Sequence, residues 1–521
     1  MTARPKIEAG PLSLEQLAFE NTFVRDLPPD PVTTNVPRQV NAASYTRVEP
    51  TPVTAPILLA WSDELGEYLR ISHPQEKTGL VAQVLGGNKI LPGMQPYAAR
   101  YGGHQFGHWA GQLGDGRAIT LGEIIATDGS RQELQLKGAG KTPYSRTADG
   151  RAVLRSSLRE FLCSEAMHRL GVPTTRALSL VGTGEIVIRD MFYDGNPEPE
   201  PGAVVCRVAP SFVRFGNFQI HAAHEELDVL KRLVDYVIRE HYSGLDYEQW
   251  FHEICRRTAV LIVDWMRLGF VHGVMNTDNM SILGLTIDYG PYGWLEGYDP
   301  MWTPNTTDAQ GRRYAYGQQP HIAQWNLARL AEALLPIVPK ERLEAGLALY
   351  AETFNGAWQR AFMEKIGLTD WNEGDVELLR AMFEALAEAE TDFTLFFRGL
   401  AAVAPERPSL EPLRSAFYAD VPRPLLQSWL ERYTNRLRLQ NLSIEERQRR
   451  MNSVNPKYVP RNYLAQLAID ALEKGDASVL ERLMKVLARP YDEQPEHDDL
   501  AARRPEWARQ RAGCSALSCS S

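Results

Sequence analysis

The sequence lacks a basic excess, a dense set of cysteines and any long apolar run. Its 521 residues carry a formal net charge of -9, whereas a nucleic-acid surface normally needs an excess of Lys and Arg, so no nucleic-acid partner is expected. Five scattered cysteines are too few for a disulfide scaffold. No uncharged apolar stretch of about 18 residues occurs, and no apolar segment follows a basic amino terminus. We therefore expect a soluble, cytoplasmic protein with no membrane partner; the oligomeric state is not indicated.

The most informative stretch lies near the middle of the chain. Residues 272–279 read His-Gly-Val-Met-Asn-Thr-Asp-Asn, and residues 287–290 read Ile-Asp-Tyr-Gly. Protein kinases have H-R-D-x-x-x-x-N and then D-F-G, where the first Asp is the catalytic base and the Asn and the second Asp hold magnesium. Val274 replaces the base here, whereas Asn279 and Asp288 remain as oxygen ligands for Mg²⁺ or Mn²⁺. A hairpin with polar turns is the alternative interpretation.

The residue pattern divides the chain into four segments. Residues 1–95 mix proline-rich loops with a short helical stretch at 58–69, and we interpret them as an extension packed on the main body. Residues 96–220 contain strand-like runs and one long helix, which predicts a nucleotide-binding small lobe. Residues 221–490 are dominated by helical patterns and contain the predicted metal ligands. Residues 491–521 have little apolar content and are predicted to form a tail with Cys514 and Cys519.

The order of the predicted elements indicates the fold class. Strand-like runs occur at 117–121, 133–137, 185–188 and 203–208, and a single helix from about 151 to 171 interrupts them. Helices are predicted at 225–240, 247–268, 324–335, 343–365, 376–400 and 465–487. Strands, one helix and more strands form the order of a kinase small lobe. The prediction is an α+β, protein kinase-like two-lobed fold with a β-rich small lobe, a helical large lobe and additional helices.

Three patterns in the small lobe are typical of phosphate binding. Gly114 and Gly116, followed by Arg117, let backbone N–H groups approach phosphates, although a hairpin turn has the same composition. Lys137 ends an alternating strand and either points at phosphates or is a solvated lysine. Glu160 shares a helix line with apolar side chains, which predicts an ion pair with Lys137, whereas an exposed glutamate is the alternative.

Other polar residues complete the candidate site. Arg207 and Arg214 flank a turn and suit bidentate phosphate contacts, with surface charges as the alternative. Asp149 and Gly150 end a loop that can close over a nucleotide. Asp278 stands beside the predicted amide ligand of the metal. If that loop turns toward the metal, Asp278 is the nearest carboxylate able to act as a general base, and otherwise it is a loop cap.

Five motifs together resemble the selenoprotein O family, also called YdiU, in its bacterial, cysteine-containing form. They are Tyr-Gly-Gly-His-Gln-Phe-Gly at 101–107, Leu-Lys-Gly-Ala-Gly-Lys-Thr-Pro-Tyr-Ser-Arg at 136–146, Ser-Leu-Arg-Glu-Phe at 157–161, Arg-Val-Ala-Pro-Ser at 207–211 and Asn-Thr-Asp-Asn-Met-Ser at 276–281. Met-Asn at 451–452, Asn-Pro at 455–456 and Pro-Arg-Asn-Tyr at 460–463 extend the resemblance into the helical half, so it covers nearly the whole chain.

The resemblance implies a pseudokinase that binds ATP in a flipped pose and transfers AMP to Ser, Thr or Tyr hydroxyls of proteins, with pyrophosphate as the leaving group. It implies ATP as co-substrate, Mg²⁺ or Mn²⁺ as cofactor and proteins as partners. The implied nucleotide-binding residues are Gly114, Gly116, Arg117, Lys137, Asp149, Gly150, Arg207, Arg214 and Asp288. The implied metal ligands are Asn279 and Asp288, and the implied catalytic residues are Asp278 as proton acceptor, Lys137 and Glu160.

The tail resembles the family with one departure. Animal members have selenocysteine third from the end, where this chain has Cys519. Many bacterial members also have a cysteine after the Asp-Tyr-Gly motif that can pair with the tail, but residues 298–305 contain none. The resemblance therefore does not predict a tail-to-loop disulfide here. A local pair between Cys514 and Cys519 and two inert thiols are the open alternatives.

Two other functions remain open at this stage. One is an ordinary kinase-like phosphotransferase, and the other is a non-catalytic nucleotide-binding scaffold. The missing base at Val274 is the only support for the scaffold. The retained ligands Asn279 and Asp288 argue against it, because a scaffold without turnover has no chemical need for them.

Overall fold

A seven-stranded antiparallel sheet dominates the amino-terminal half of the computed structural model, which describes residues 10–518. The strand order is β1–β3–β6–β7–β9–β8–β2, while β4 pairs with β5 and β10 with β11. The strands are β1 Tyr45–Arg47, β2 Ile57–Trp61, β3 Tyr97–Ala99, β4 Gly102–Gln105, β5 His108–Gln112, β6 Ala118–Ile125, β7 Arg131–Lys137, β8 Arg176–Arg189, β9 Glu198–Ala209, β10 Phe270–Val271 and β11 Gly293–Trp294. The four predicted strand runs fall on β6, β7, β8 and β9.

Both edge strands of the sheet come from the first 95 residues. β1 pairs with β3, and β2 pairs with β8. The segment interpreted as an extension thus contributes backbone hydrogen bonds to the small-lobe sheet. The predicted helix at 58–69 is wrong in its first half, because residues 58–61 belong to β2 and the helix covers only Asp63–Tyr68.

Fifteen α-helices occur within residues 10–518, and most of them follow the sheet. They are α1 Thr22–Asp26, α2 Asp63–Tyr68, α3 Leu80–Leu85, α4 Leu154–Arg169, α5 Phe215–Ala223, α6 Leu227–His241, α7 Tyr247–Leu268, α8 Gln319–Leu334, α9 Lys340–Lys365, α10 Asp375–Glu388, α11 Phe393–Leu400, α12 Pro424–Arg438, α13 Ile444–Val454, α14 Asn462–Leu472 and α15 Ser478–Leu487. The α+β prediction is confirmed. None of the helices in this part of the chain is long and apolar enough to cross a membrane.

Two predicted helices are each divided in two. The run at 376–400 is α10 and α11, and the side chain of Asp392 caps α11 by accepting the backbone N–H of Leu395 at 3.0 Å. The run at 465–487 is α14 and α15, separated at Gly475, whose φ is +82°. In both cases the apolar pattern continues across a turn, so periodicity alone does not reveal the break.

Helix α4 is buried between the sheet and the carboxyl-terminal helices. Leu158, Phe161 and Leu162 have no exposed surface and belong to one apolar cluster with residues of β8, β9, α14 and α15. The helix begins after Val153 and ends before Gly171, close to the predicted bounds. Because both of its faces are covered, α4 presents Glu160 to the sheet from a fixed position.

The carboxyl-terminal segment, interpreted as a tail because of its low apolar content, packs on the body. Leu500, Cys514 and Leu517 are buried, and the backbone N–H of Leu517 donates to the carbonyl of Pro304 at 2.9 Å. A few well-placed apolar residues suffice to dock a segment of low average hydrophobicity. Cys519 lies outside the described residues, so the predicted alternatives for its pairing with Cys514 stay predictions.

Candidate active site

A cavity of about 790 Å³ opens between the sheet and the helical half, a volume in the usual range for small-molecule sites. Its wall contains all but one of the predicted site residues, namely Gly114, Gly116, Arg117, Lys137, Asp149, Gly150, Arg207, Arg214, Asp278, Asn279 and Asp288. Glu160 is the exception, because it lies behind Lys137. The fold therefore brings residues that are far apart in the chain to one cavity.

Lys137 lies at the end of β7, with its ammonium group in an ion-pair network. Its Nζ is 2.7 Å from Oε2 of Glu160 and 3.2 Å from Oδ1 of Asp288. Arg207 Nη1 lies 3.3 Å from the other oxygen of Glu160. The register between β7 and β9 places Lys137 and Arg207 on the same face of the sheet. The predicted ion pair between Lys137 and Glu160 is present.

Asp288 has a backbone conformation that is rare for residues other than glycine. Its φ is +60°, and such a conformation costs about 1–3 kcal/mol when the surroundings impose it, often at functional sites. Desolvation raises the pKa of Asp288, but the positive charges of Lys137, Arg207 and Arg214 outweigh it and hold the pKa well below the usual range. The carboxylate is therefore ionised, as a cation ligand must be.

The loop that contains Asp278 is tied to the segment before Asp288. The ring Nε2 of His272 lies 2.8 Å from the carbonyl of Ile287, and the ring stacks on Trp265 at a centroid distance of 5.3 Å. Both histidine contacts are buried. The motif at 272–279 and the motif at 287–290 are thus joined directly, by the contact between His272 and Ile287.

Asp278 faces the cavity with one carboxylate oxygen unsatisfied. Its Oδ2 accepts a hydrogen bond from Nε2 of Gln105 at 3.1 Å, and its Oδ1 is buried without a hydrogen-bond partner among residues 10–518. A Cβ at Gly103 would lie 2.5 Å from Oδ1, so only glycine fits there. Burial raises the pKa of Asp278 to about 6, although the hydrogen bond from Gln105 lowers it. A buried, unpartnered oxygen suits a group that accepts a proton from a ligand.

Val274 and Asn279 complete this loop. Val274, which the sequence pattern aligns with the kinase base, is buried and lines the cavity. Nδ2 of Asn279 donates to the carbonyl of Val274 at 2.9 Å, which leaves the amide oxygen as the atom able to bind a cation.

The oxygens of Asn279 and Asp288 fit a magnesium-type ion. An amide oxygen and an ionised carboxylate in one cavity are hard ligands, and Mg²⁺ usually binds one or two such groups together with waters and substrate phosphates. Within residues 10–518 no cluster of three or more His, Cys, Asp or Glu side chains is arranged to hold a metal. The fit therefore depends on additional oxygens from a bound nucleotide.

The glycine-rich loop is held against a second loop. Gly114 has a φ of +89°, and a Cβ there would overlap the ring of Tyr144. Ser145 donates its hydroxyl hydrogen to the carbonyl of Gly116. The glycines are thus explained by close packing on Tyr144 as well as by an approach to phosphates, a reason that the sequence pattern did not reveal. Arg117 lines the cavity beside them.

Arg214 connects the small-lobe wall to the Asp278 loop. Its Nη1 donates to the backbone carbonyl of Asp278 at 3.0 Å, and its guanidinium lies over the ring of Tyr101 at 4.5 Å. Asp115 Oδ1 is 3.9 Å from Nη2. Arg214 is therefore not a surface charge, and it fixes the loop as well as facing the cavity.

Asp149 and Gly150 lie at the rim of the cavity. The Asp149 carboxylate forms a bidentate ion pair with Arg189, at 2.7 Å for each contact. Gly150 accepts a hydrogen bond from the N–H of Gly140 at 3.0 Å, and a Cβ on Gly150 would overlap the Gly140 backbone. Asp149 thus has a protein partner already, which was not expected from its loop context.

Sequence reasoning missed several residues of this site. Gln105 holds Asp278, Asp115 faces Arg214, and Arg189 pairs with Asp149. Gln105 and Asp115 lie within the glycine-containing motifs of the small lobe. Their polar side chains were the signal in the sequence that could have indicated a place in the site. Arg189 follows a predicted strand, but nothing in its neighbourhood indicates a partner 40 residues earlier.

Comparisons with known proteins identify the family of this chain. The model of the family described as "Protein adenylyltransferase SelO" matches residues 33–488. The chain is 61% identical to a protein nucleotidyltransferase YdiU of Nitrosospira multiformis, covering 96% of each chain. It is 57% identical to proteins of the same name from Xanthomonas euvesicatoria and Aromatoleum aromaticum, covering 98% of this chain and 100% of each relative. The chain therefore belongs to the SelO family of protein adenylyltransferases.

Proposed function

We propose that this enzyme transfers AMP from ATP to Ser, Thr or Tyr hydroxyls of protein substrates, with ATP flipped so that its α-phosphate faces the acceptor. In this reaction the acceptor oxygen bonds to the α-phosphorus, and the bond from that phosphorus to the bridging oxygen breaks. Pyrophosphate leaves. The observation that carries the proposal is that one cavity is lined both by the apolar Val274, where the sequence pattern of kinases has the base, and by Asp278, whose carboxylate has one oxygen without a hydrogen-bond partner among residues 10–518.

Asp278 is the proposed general base. Its carboxylate accepts the proton of the acceptor hydroxyl, while the hydrogen bond from Gln105 to Oδ2 fixes the orientation of the group. A carboxylate at position 274 would be needed for transfer of the γ-phosphate in the ordinary kinase arrangement. Its replacement by valine supports a different reacting phosphorus.

The cationic wall of the cavity is proposed to bind the triphosphate. Lys137, Arg207 and Arg214 face the same space as Asp288, and such preorganised charges stabilise the charge that develops on a departing pyrophosphate. Glu160 positions Lys137 by the 2.7 Å contact and does not itself line the cavity. Asn279 and Asp288 are the proposed ligands of Mg²⁺ or Mn²⁺. When bound, this ion supplies charge neutralisation and orientation of the phosphate oxygens.

Incubation with ATP labelled on either the α- or the γ-phosphate tests the proposal. We expect α-label on protein, resistant to removal of free nucleotide, and no γ-label on protein. Gamma-label on a protein or small molecule would favour an ordinary phosphotransferase. Absence of both labels with intact Mg-ATP binding would favour a nucleotide-binding scaffold.

A further inference from the structure

The hairpin formed by β4 and β5 is fixed directly beside Asp278. Besides the contact from Gln105, the backbone N–H of His104 donates to Oγ1 of Thr277 at 2.7 Å. The N–H of Phe106 donates to the hydroxyl of Tyr314 at 2.9 Å. Gln105 and Phe106 also line the cavity. The hairpin therefore forms the edge of the cavity at which an acceptor hydroxyl has to arrive.

An aromatic–arginine surface, defined here as His104, Trp109, Arg313, Trp325 and Arg329, continues from this hairpin. The ring of His104 lies 5.1 Å from Trp109 and 5.5 Å from Trp325, measured between centroids. The guanidinium carbons of Arg313 and Arg329 lie 4.6 and 5.0 Å from the Trp325 ring centroid. Trp109 is 40% exposed, which is unusual for so large an apolar side chain.

The charge of this surface is opposite to that of the whole protein. The chain has a net charge of -9, yet Arg313 forms no ion pair with any carboxylate of residues 10–518, and Arg329 pairs only with the half-exposed Glu332. Nε of both arginines is buried without a hydrogen-bond partner in the described part of the chain. Since Nε is buried, the terminal Nη groups of these stacked arginines are the donors available to a carboxylate.

Arg313 lies close to the reacting position. Its guanidinium carbon is 3.5 Å from the point where a Cβ of residue 107 would stand. Gly107 is two residues beyond Gln105, so at most about 7 Å of backbone separates it from the residue that holds Asp278. That distance corresponds to one or two residues of an extended peptide.

We propose that the aromatic–arginine surface binds acidic residues that flank the acceptor hydroxyl of a protein substrate. This inference rests on the proposed function and names its substrate class. Arg313 and Arg329 pair with carboxylates of the bound segment, while Trp109 supplies a rigid apolar contact at low entropic cost. The same positive charge rejects basic segments, which gives the enzyme selectivity without contacts to the hydroxyl itself.

Three synthetic peptides test the inference. Each has one Ser, one Thr and one Tyr in a neutral spacer, flanked by four Glu, four Gln or four Lys residues, and transfer of α-label is measured. We expect kcat/KM for the acidic peptide to exceed that for the basic peptide by at least about tenfold at low salt, and the ratio to shrink as ionic strength rises. Equal labelling of the three peptides would overturn the inference.

Reversing the charge of single arginines tests whether the preference for the acidic peptide arises at the aromatic–arginine surface. Arg313→Glu should reduce the acidic-to-basic ratio by at least about fivefold, with Mg-ATP affinity by calorimetry unchanged, whereas Arg360→Glu on the exposed face of α9 should leave the ratio unchanged. If Arg313→Glu folds poorly, Arg329→Gln serves as the second variant.

An unchanged ratio in a variant that binds Mg-ATP contradicts the inference. So does label on the enzyme itself but on no peptide. Absence of α-label on every acceptor, including the enzyme, refutes instead the proposed function.

Discussion

Two walls of the cavity give neighbouring carboxylates opposite surroundings. The first wall, built from β7 and β9, faces Asp288, and the second wall, built from the β4–β5 hairpin, faces Asp278. Asp288 lies within reach of Lys137 and Arg207, at 3.2 and 3.9 Å, and its pKa is held well below the usual range despite desolvation. Asp278 meets the neutral amide of Gln105, and burial raises its pKa to about 6. The comparison teaches that the neighbours of a buried Asp decide whether its pKa lies below or above the usual range, even within one cavity.

Removing Lys137, the cation at the centre of the first wall, should have the largest effect on AMP transfer. Lys137→Ala is expected to lower AMP transfer by about 10³-fold, because a preorganised charge on the phosphates is lost. The fold should be retained, since Arg207 still pairs with Glu160. Labelling with α-labelled ATP measures the loss, and the exposed Lys141→Ala is the matched control. Near wild-type transfer by the Lys137 variant would show that the first wall does not contact the nucleotide.

Neutralising the carboxylate of the second wall should affect turnover rather than binding. Asp278→Asn keeps the side-chain shape but removes the proton acceptor, so kcat is expected to fall by about 10²–10³-fold. Mg-ATP affinity, measured by calorimetry, should change less than about twofold because the proposed binding site of the triphosphate is the other wall. A fall in affinity as large as the fall in kcat would mean that Asp278 binds the metal instead.

Removing the carboxylate of Asp288, beside the first wall, should weaken the binding of Mg-ATP and not only slow turnover. Asp288→Ala is expected to weaken Mg-ATP affinity by about 100-fold, because the uncharged Asn279 is the only other proposed ligand. Affinity for ATP in the presence of a chelator should hardly change, which separates the loss of the cation from the loss of the fold. Unchanged Mg-ATP affinity would remove Asp288 from the metal site.

A carboxylate placed between the two walls should cost stability without creating kinase activity. Val274→Asp buries a charge where an apolar side chain packs, at a cost of about 1–3 kcal/mol in the free energy of unfolding. No γ-label transfer is expected, because the γ-phosphate of a flipped nucleotide points away from this position. Denaturant unfolding measures the first effect. Gamma-label on protein would show that ATP binds in the ordinary kinase orientation.

Reductant should have the smallest effect. Cys514 is a buried residue of the carboxyl-terminal segment, and no cysteine occurs in residues 298–305 that follow the Asp288 motif. Dithiothreitol is therefore expected to change AMP transfer by less than about twofold. A change above about tenfold, equivalent to about 1.4 kcal/mol in the barrier, would show that a thiol pair is coupled to one of the walls.

The sequence predicted elements well where periodicity decides them. Strand β7 and helix α7 follow their predicted bounds closely, whereas the runs predicted at 185–188 and 203–208 cover only part of β8 and β9. It failed where a pattern continues across a turn, as between α10 and α11, and where an apolar run can be helix or strand, as at residues 58–61. These cases depend on capping and on pairing with distant strands.

For the site, the sequence indicated the residues but only one of their partnerships, that of Lys137 with Glu160. Lys137 and Glu160 were paired by helix geometry, which is local enough to infer. The contacts of Gln105 with Asp278 and of Arg189 with Asp149 arise from tertiary packing and have no local signature. The docking of Leu517 on the segment after Asp288 was missed for the same reason.

Helix α4 is covered by the sheet on one face and by α14 and α15 on the other, and this packing restricts the motion of the helix relative to the rest of the molecule. In protein kinases the equivalent lysine–glutamate pair is made and broken as its helix swings. Here such a swing would have to open two apolar interfaces at once. Backbone amide protons of α4 should therefore exchange with solvent only in global unfolding, over the slowest times of the molecule. A charged pair that lasts as long as the fold leaves no separate step at which the pair is assembled.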